Sequence, residues 1–140
     1  MNSEKTRYIL LISGTLLFFI GLLNGFIIPF FSVPRGGLSA HLAAVQGGMA
    51  LIIFGLILKY MKLKSSQFTF VAWSNIYSMY AAWLALTLAA SWGTDKSIHQ
   101  KTIIKLLAYT GGVATTAGVI FIFVGLLAYN RITEKIESKE

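Results

Sequence analysis

The chain has 140 residues, 56% of them hydrophobic and only 12% charged, with a mean hydropathy of +0.70 and a net charge of +7. A soluble domain carries about 25% charged residues, so an ordinary water-facing surface is excluded and an integral membrane protein is indicated. The absence of cysteine excludes disulfides, thiolate haem ligation, iron–sulfur clusters and cysteine nucleophiles.

The positive charge does not indicate nucleic acid. Lysines and arginines flank apolar runs, as headgroup anchors do, and the aromatic residues lie inside those runs. The pattern predicts an all-α membrane protein: one domain over 1–140, a four-helix transmembrane bundle with antiparallel neighbours. The spans are expected at about 8–28, 39–59, 68–91 and 103–129.

The first span, Tyr8–Ile28, ends at Pro29. It is long enough to cross a ~30 Å hydrocarbon core. It follows a charged N-terminus, as a signal peptide would. It is too long for a signal peptide's apolar region and lacks a small-residue cleavage site, so it reads as a retained span. Within it, Gly21-Leu22-Leu23-Asn24-Gly25 is a GxxxG pattern that admits another helix closely. Asn24 is expected to find a hydrogen-bond partner across a helix interface.

Residues 29–38 read as a loop, with Pro29, Pro34, Gly36 and Gly37 as breakers. Ser39 is the expected N-cap of the second span, Ser39–Lys59. His41 then falls in its first turn, near the membrane boundary. Within the expected spans it alone carries a side chain that titrates near neutral pH. It is a candidate functional residue, and a metal or haem ligand. The alternative is a helix-end histidine bonded to a neighbouring loop. Val45, Gly48, Met49 and Ile52 continue its face. Each glycine of Gly47-Gly48 costs about 1 kcal/mol of helix propensity. Something bulky, a helix or a cofactor, is therefore expected close to the backbone.

In the third span, Phe68–Ser91, Trp73, Tyr77, Tyr80 and Leu84 make an aromatic stripe beside a polar strip of Ser74, Asn75 and Ser78. The stripe is either a packing face or a pocket wall. The loop 92–102 carries Asp95 and His99 and reads as wet. The fourth span, Ile103–Tyr129, shows a small, weakly polar packing face of Gly111, Gly112, Thr115, Thr116 and Gly118. The tail from Arg131 is helical in pattern and solvated.

Basic residues favour the N-terminus (Lys5, Arg7), the second loop (Lys59, Lys62, Lys64) and the tail (Arg131, Lys135, Lys139). Fewer lie in the first loop (Arg35) and the third loop with its flank (Lys96, Lys101, Lys105). Both termini are expected in the cytoplasm, with the bundle in the cell inner membrane. No Gly-rich phosphate loop, HExxH or carboxylate pair is present, and no Asp or Glu lies inside a span. These absences argue against hydrolytic metal chemistry and a carboxylate proton relay. Axial pairing of His41 with His99 stays open.

Pro34-Arg35, Gly37-Leu38-Ser39-Ala40-His41-Leu42 and Gly48-Met49 resemble the second span of the styrene oxide isomerase and hydroxylaminobenzene mutase family. Trp73 and Ile76-Tyr77-Ser78-Met79-Tyr80-Ala81-Ala82-Trp83 support the resemblance in the third span. The resemblance implies His41 as axial ligand of a ferric b-type haem between subunits of a homotrimer. The iron acts as a Lewis acid toward the oxygen of a small apolar aromatic epoxide, which rearranges to an aldehyde, or of an aryl hydroxylamine. It implies Tyr80 as the catalytic tyrosine that orients substrate. Tyr77, Trp73, Trp83, Gln46 and Gly47 are expected to line the pocket, with Arg35 as a haem-propionate partner. The sequence departs from the family pattern where Ala43 replaces a glutamate and Gly47 and Ala82 replace asparagines. Three functions follow: a haem-dependent isomerase, a non-catalytic haem protein, or an accessory membrane subunit without cofactor.

Overall fold

Four helices follow one another through short connections: α1 Ser3–Phe26, α2 Pro34–Ile57, α3 Ser65–Ser91 and α4 Ile98–Glu137. The computed structural model describes residues 3–61, 63–93 and 97–137, with side chains from Glu4 to Leu127 within those ranges. Asp95, expected in the wet loop, and Lys62, Lys96 and Lys139, used for topology, lie outside the described residues. Among the described residues there is no strand.

Among the described residues, three stretches are long and apolar enough to cross a membrane: Glu4–Phe26, Pro34–Tyr60 and Ile98–Leu127. The expectation of four such stretches is met by three. α3 has 27 residues and no charged side chain, but serine, asparagine and tyrosine dilute its hydropathy. Two of these polar groups turn inward: Asn75 and Ser78 are fully buried. A helix walled by other helices needs no apolar surface on that side.

The start of α2 corrects the sequence expectation. The helix begins at Pro34, where proline's missing N–H is no loss because a first-turn N–H has no partner within the helix. Val33 before it is extended, at φ −128° and ψ 92°, as a residue preceding proline must be. Ser39 is therefore not the cap; its Oγ donates to the Arg35 carbonyl at 3.1 Å, inside the helix. Gly36 and Gly37 do not break the chain. Ala90 packs on one and the Phe31 ring on the other. The connection is tied to the end of α3, where the Val33 N–H donates to the Ala90 carbonyl at 3.1 Å and Ser32 Oγ to the Ser91 carbonyl at 2.8 Å.

α4 also starts earlier than expected, at Ile98. Ser97 and Gln100 cap it reciprocally: the Ser97 N–H donates to Gln100 Oε1 at 2.8 Å and the Gln100 N–H to Ser97 Oγ at 3.3 Å.

α1, α2 and α3 pack against one another, whereas α4 lies along α3 and touches little of α1 or α2. The core joins Leu10 and Leu17 of α1, Ala44 and Leu51 of α2, and Val71 and Ala72 of α3, with Ile122 from α4. Lipid is as apolar as leucine, so helices associate there by close packing and hydrogen bonds. α1 and α2 meet backbone to backbone. A Cβ on Gly14 would lie 2.7 Å from the Gly48 carbonyl oxygen, and one on Gly48 would lie 2.8 Å from Phe18 Cα.

Candidate functional site around His41

Because α2 begins at Pro34, His41 sits in its second turn, about 10 Å along the axis from the first residue. It lies deeper than the expected first-turn position. Its ring is partly buried against α1. Nδ1 is 2.7 Å from the Gly21 carbonyl oxygen. A carbonyl only accepts, so Nδ1 is the donor of this bond, and the neutral ring with that tautomer keeps its lone pair on Nε2.

The GxxxG pattern makes this possible. At Gly21 the α2 backbone comes so close that a Cβ would lie 2.8 Å from the Val45 nitrogen, which brings the Gly21 carbonyl within reach of the imidazole. Gly25 then seats the ring. A Cβ there would lie 3.2 Å from both Cε1 and Nδ1. One glycine supplies the acceptor and the other the floor.

A held ring with one free nitrogen suits a single axial bond to a metal centre. The described residues contain no group of three or more His, Cys, Asp or Glu able to hold a metal by themselves. His41 thus has no such partners with which to enclose a bare metal ion. His99 is exposed at the start of α4.

The other expected site residues fall into separate groups. Tyr80 and Trp83 face inward, ring edge to ring face at 6.5 Å. The Tyr80 hydroxyl donates to the Ser13 carbonyl of α1 at 2.9 Å. Gly47 is buried, with Met79 and Leu17 packed where its side chain would be. Gln46 and Arg35 are exposed on the outer face of α2. Trp73 and Tyr77 are about half exposed on α3, and the Tyr77 hydroxyl is 2.6 Å from Thr110 Oγ1 of α4. Within the chain, His41, Gly47, Tyr80 and Trp83 belong to the α1–α2–α3 assembly. Trp73 and Tyr77 lie toward α4 and the outside.

The GxxxG pattern marks Gly21 and Gly25 as packing residues; their contact with His41 is visible only in the structure. A partner is expected for Asn24. Asn24 is buried, but its Nδ2 has none, and neither does the buried Nε1 of Trp83.

The styrene oxide isomerase family model matches residues 6–130. Similar proteins include hydroxylaminobenzene mutase HabA of Ectopseudomonas oleovorans, 32% identical over 127 residues, covering 82% of this chain and 94% of that protein. Hydroxylaminobenzene mutase HabB of the same organism is 35% identical over 113 residues, covering 81% of this chain and 67% of that protein. No solved structure matches.

Proposed function

The chain belongs to the styrene oxide isomerase family, and from that premise we propose that it is a haem b-dependent isomerase of small aromatic oxygen compounds in the membrane. An isomerase role follows from the family. The relatives' names favour an aryl hydroxylamine as substrate, with an aromatic epoxide as the other candidate. The observation that carries the haem reading is the His41 ring, fixed through Nδ1 with Nε2 free.

Ferric haem, when bound, supplies a Lewis acid that polarises the substrate oxygen without net redox change. The chain's own residues do the rest. The Gly21 carbonyl holds the Nδ1 proton and makes Nε2 a better donor of its lone pair. Gly25 fixes the plane of the ring. Tyr80 and Trp83 present aromatic surfaces, which favour positive charge developing on the substrate. Arg35, in the first turn of α2, suits a haem propionate. Gln46, Trp73 and Tyr77 face outward in the single chain. A homotrimer, with haem held between copies, would bring them to the haem-facing side of the site. Both termini then face the cytoplasm from the inner membrane.

A second reading, a non-catalytic haem protein or accessory subunit, is favoured by Gly47, where Met79 and Leu17 pack closely against the place an amide side chain would take. Purified haem-loaded protein given phenylhydroxylamine and, separately, styrene oxide decides between the two. An aminophenol or an aldehyde is expected. Neither product, with haem bound stoichiometrically, would move the second reading to first place.

A further inference from the structure

We propose that Asn24 and Trp83 together bind the oxygen of a small aromatic ligand in the α1–α2–α3 interior. For the ligand class, this rests on the function proposed above. Leu10, Leu17 and Asn24 recur every seven residues along α1, at 0%, 0% and 5% exposure, and form its inner stripe. Gly47 of α2 lies against both Leu17 and Met79 of α3, so this stripe faces both neighbouring helices.

α1 and α3 run in the same direction, because each is joined to the intervening α2 by a short connection. Asn24 lies two turns beyond Leu17, and Trp83 one turn beyond Met79. Both displacements run toward the end of the bundle where the His41 ring rests on Gly25.

Asn24 Nδ2 and Trp83 Nε1 are buried without an acceptor. An unmet buried donor destabilises a fold, and hydrocarbon offers no water to relieve it. The neighbouring donors are already engaged. The Tyr80 hydroxyl serves the Ser13 carbonyl and His41 Nδ1 serves the Gly21 carbonyl. Two unused N–H groups call for an acceptor and would repel a cation. A hydroxylamine or epoxide oxygen supplies that acceptor, and the indole supplies a flat apolar wall for the ring. Met79 is unbranched and packs in the notch at Gly47, so it is the side chain best able to yield space.

The test uses the full-length protein in mild detergent, as wild type, Asn24→Leu and Trp83→Phe. Thermal unfolding is measured alone, with phenylhydroxylamine and with styrene oxide, and product formation is measured beside it. Asn24→Leu removes an unmet donor, so its midpoint without ligand is expected to equal or exceed that of wild type. Its ligand-induced shift is expected to vanish, and kcat/KM to fall roughly ten- to a hundredfold. Trp83→Phe keeps the ring and loses the N–H; it should show the same split more weakly. An undiminished ligand shift in Asn24→Leu overturns this inference and leaves the proposed function standing. So does a sharp fall in its midpoint without ligand, which would mean that the amide serves the fold. A wild type that neither ligand stabilises and that forms no product overturns both.

Discussion

The α1–α2 and α3–α4 seams are both rich in small residues, yet they are built differently. In the first, Gly14 and Gly48 bring the two backbones into contact, and the His41 side chain bonds across to the Gly21 carbonyl. In the second, Gly118 faces the side chains of Asn75 and Ser74, which are both tied back to the Val71 carbonyl of their own helix. Thr115 and Thr116 turn back to the carbonyls of Gly111 and Gly112 on their own helix, at 3.0 Å each. The bond between Tyr77 and Thr110 crosses this seam at an exposed position. Beyond it, the outer face of α4 is open. Gly112 has nothing within 4 Å, and Tyr109 and Val113 are 73% and 71% exposed. Small residues permit close approach, but only backbone-to-backbone contact with a bond across it holds a side chain in one orientation. The seam that carries His41 is of that kind.

The contrast can be broken most severely at Gly48. A leucine there would meet the α1 backbone at Phe18 and Gly14, which cannot move aside. Gly48→Leu is expected to cost more than the ~1–3 kcal/mol usual for overpacking. In detergent, its thermal unfolding midpoint should collapse and any haem should be lost with it. Survival of a wild-type midpoint would mean that this seam is slack too. The smallest effect is expected at Gly112. Gly112→Leu adds a side chain in open space and replaces a poor helix former with a good one. In a dilute, monomeric preparation its stability should stay within about 0.5 kcal/mol of wild type or rise slightly. A large loss seen only at concentrations where copies associate would show that another chain covers this face of α4.

Long apolar runs made the spans legible in the sequence, because hydrocarbon thickness sets helix length. Helix starts were less legible. Pro34, Gly36 and Gly37 look like breakers, but Pro34 occupies a position where its missing N–H does not matter, and Ala90 and Phe31 fill the space beside the glycines. His41 consequently lies about a turn deeper than the sequence suggested. The Ser97–Gln100 cap was readable and would have placed the start of α4 correctly.

The faces of α3 were harder. The aromatic stripe drew attention, yet Trp73, Tyr77 and Leu84 are exposed, while Asn75, Ser78, Ala81 and Ala85 are buried. In lipid, small and polar side chains favour the helix interface and large apolar ones are at no disadvantage outside. The candidate site was half legible. His41 stood out as the titratable group inside a span. Its acceptor is a backbone carbonyl, and side-chain patterns do not reveal which carbonyl a neighbouring helix will present.

The most direct measurement is the absorption spectrum of the purified protein, expressed with ample haem, before and after dithionite, beside His41→Ala. A haem band in the wild type that is lost or strongly weakened in His41→Ala is the expected result. It would establish the Gly21-held His41 as the residue that binds the haem. A wild type without haem, or a His41→Ala protein with an unchanged spectrum, would contradict the account.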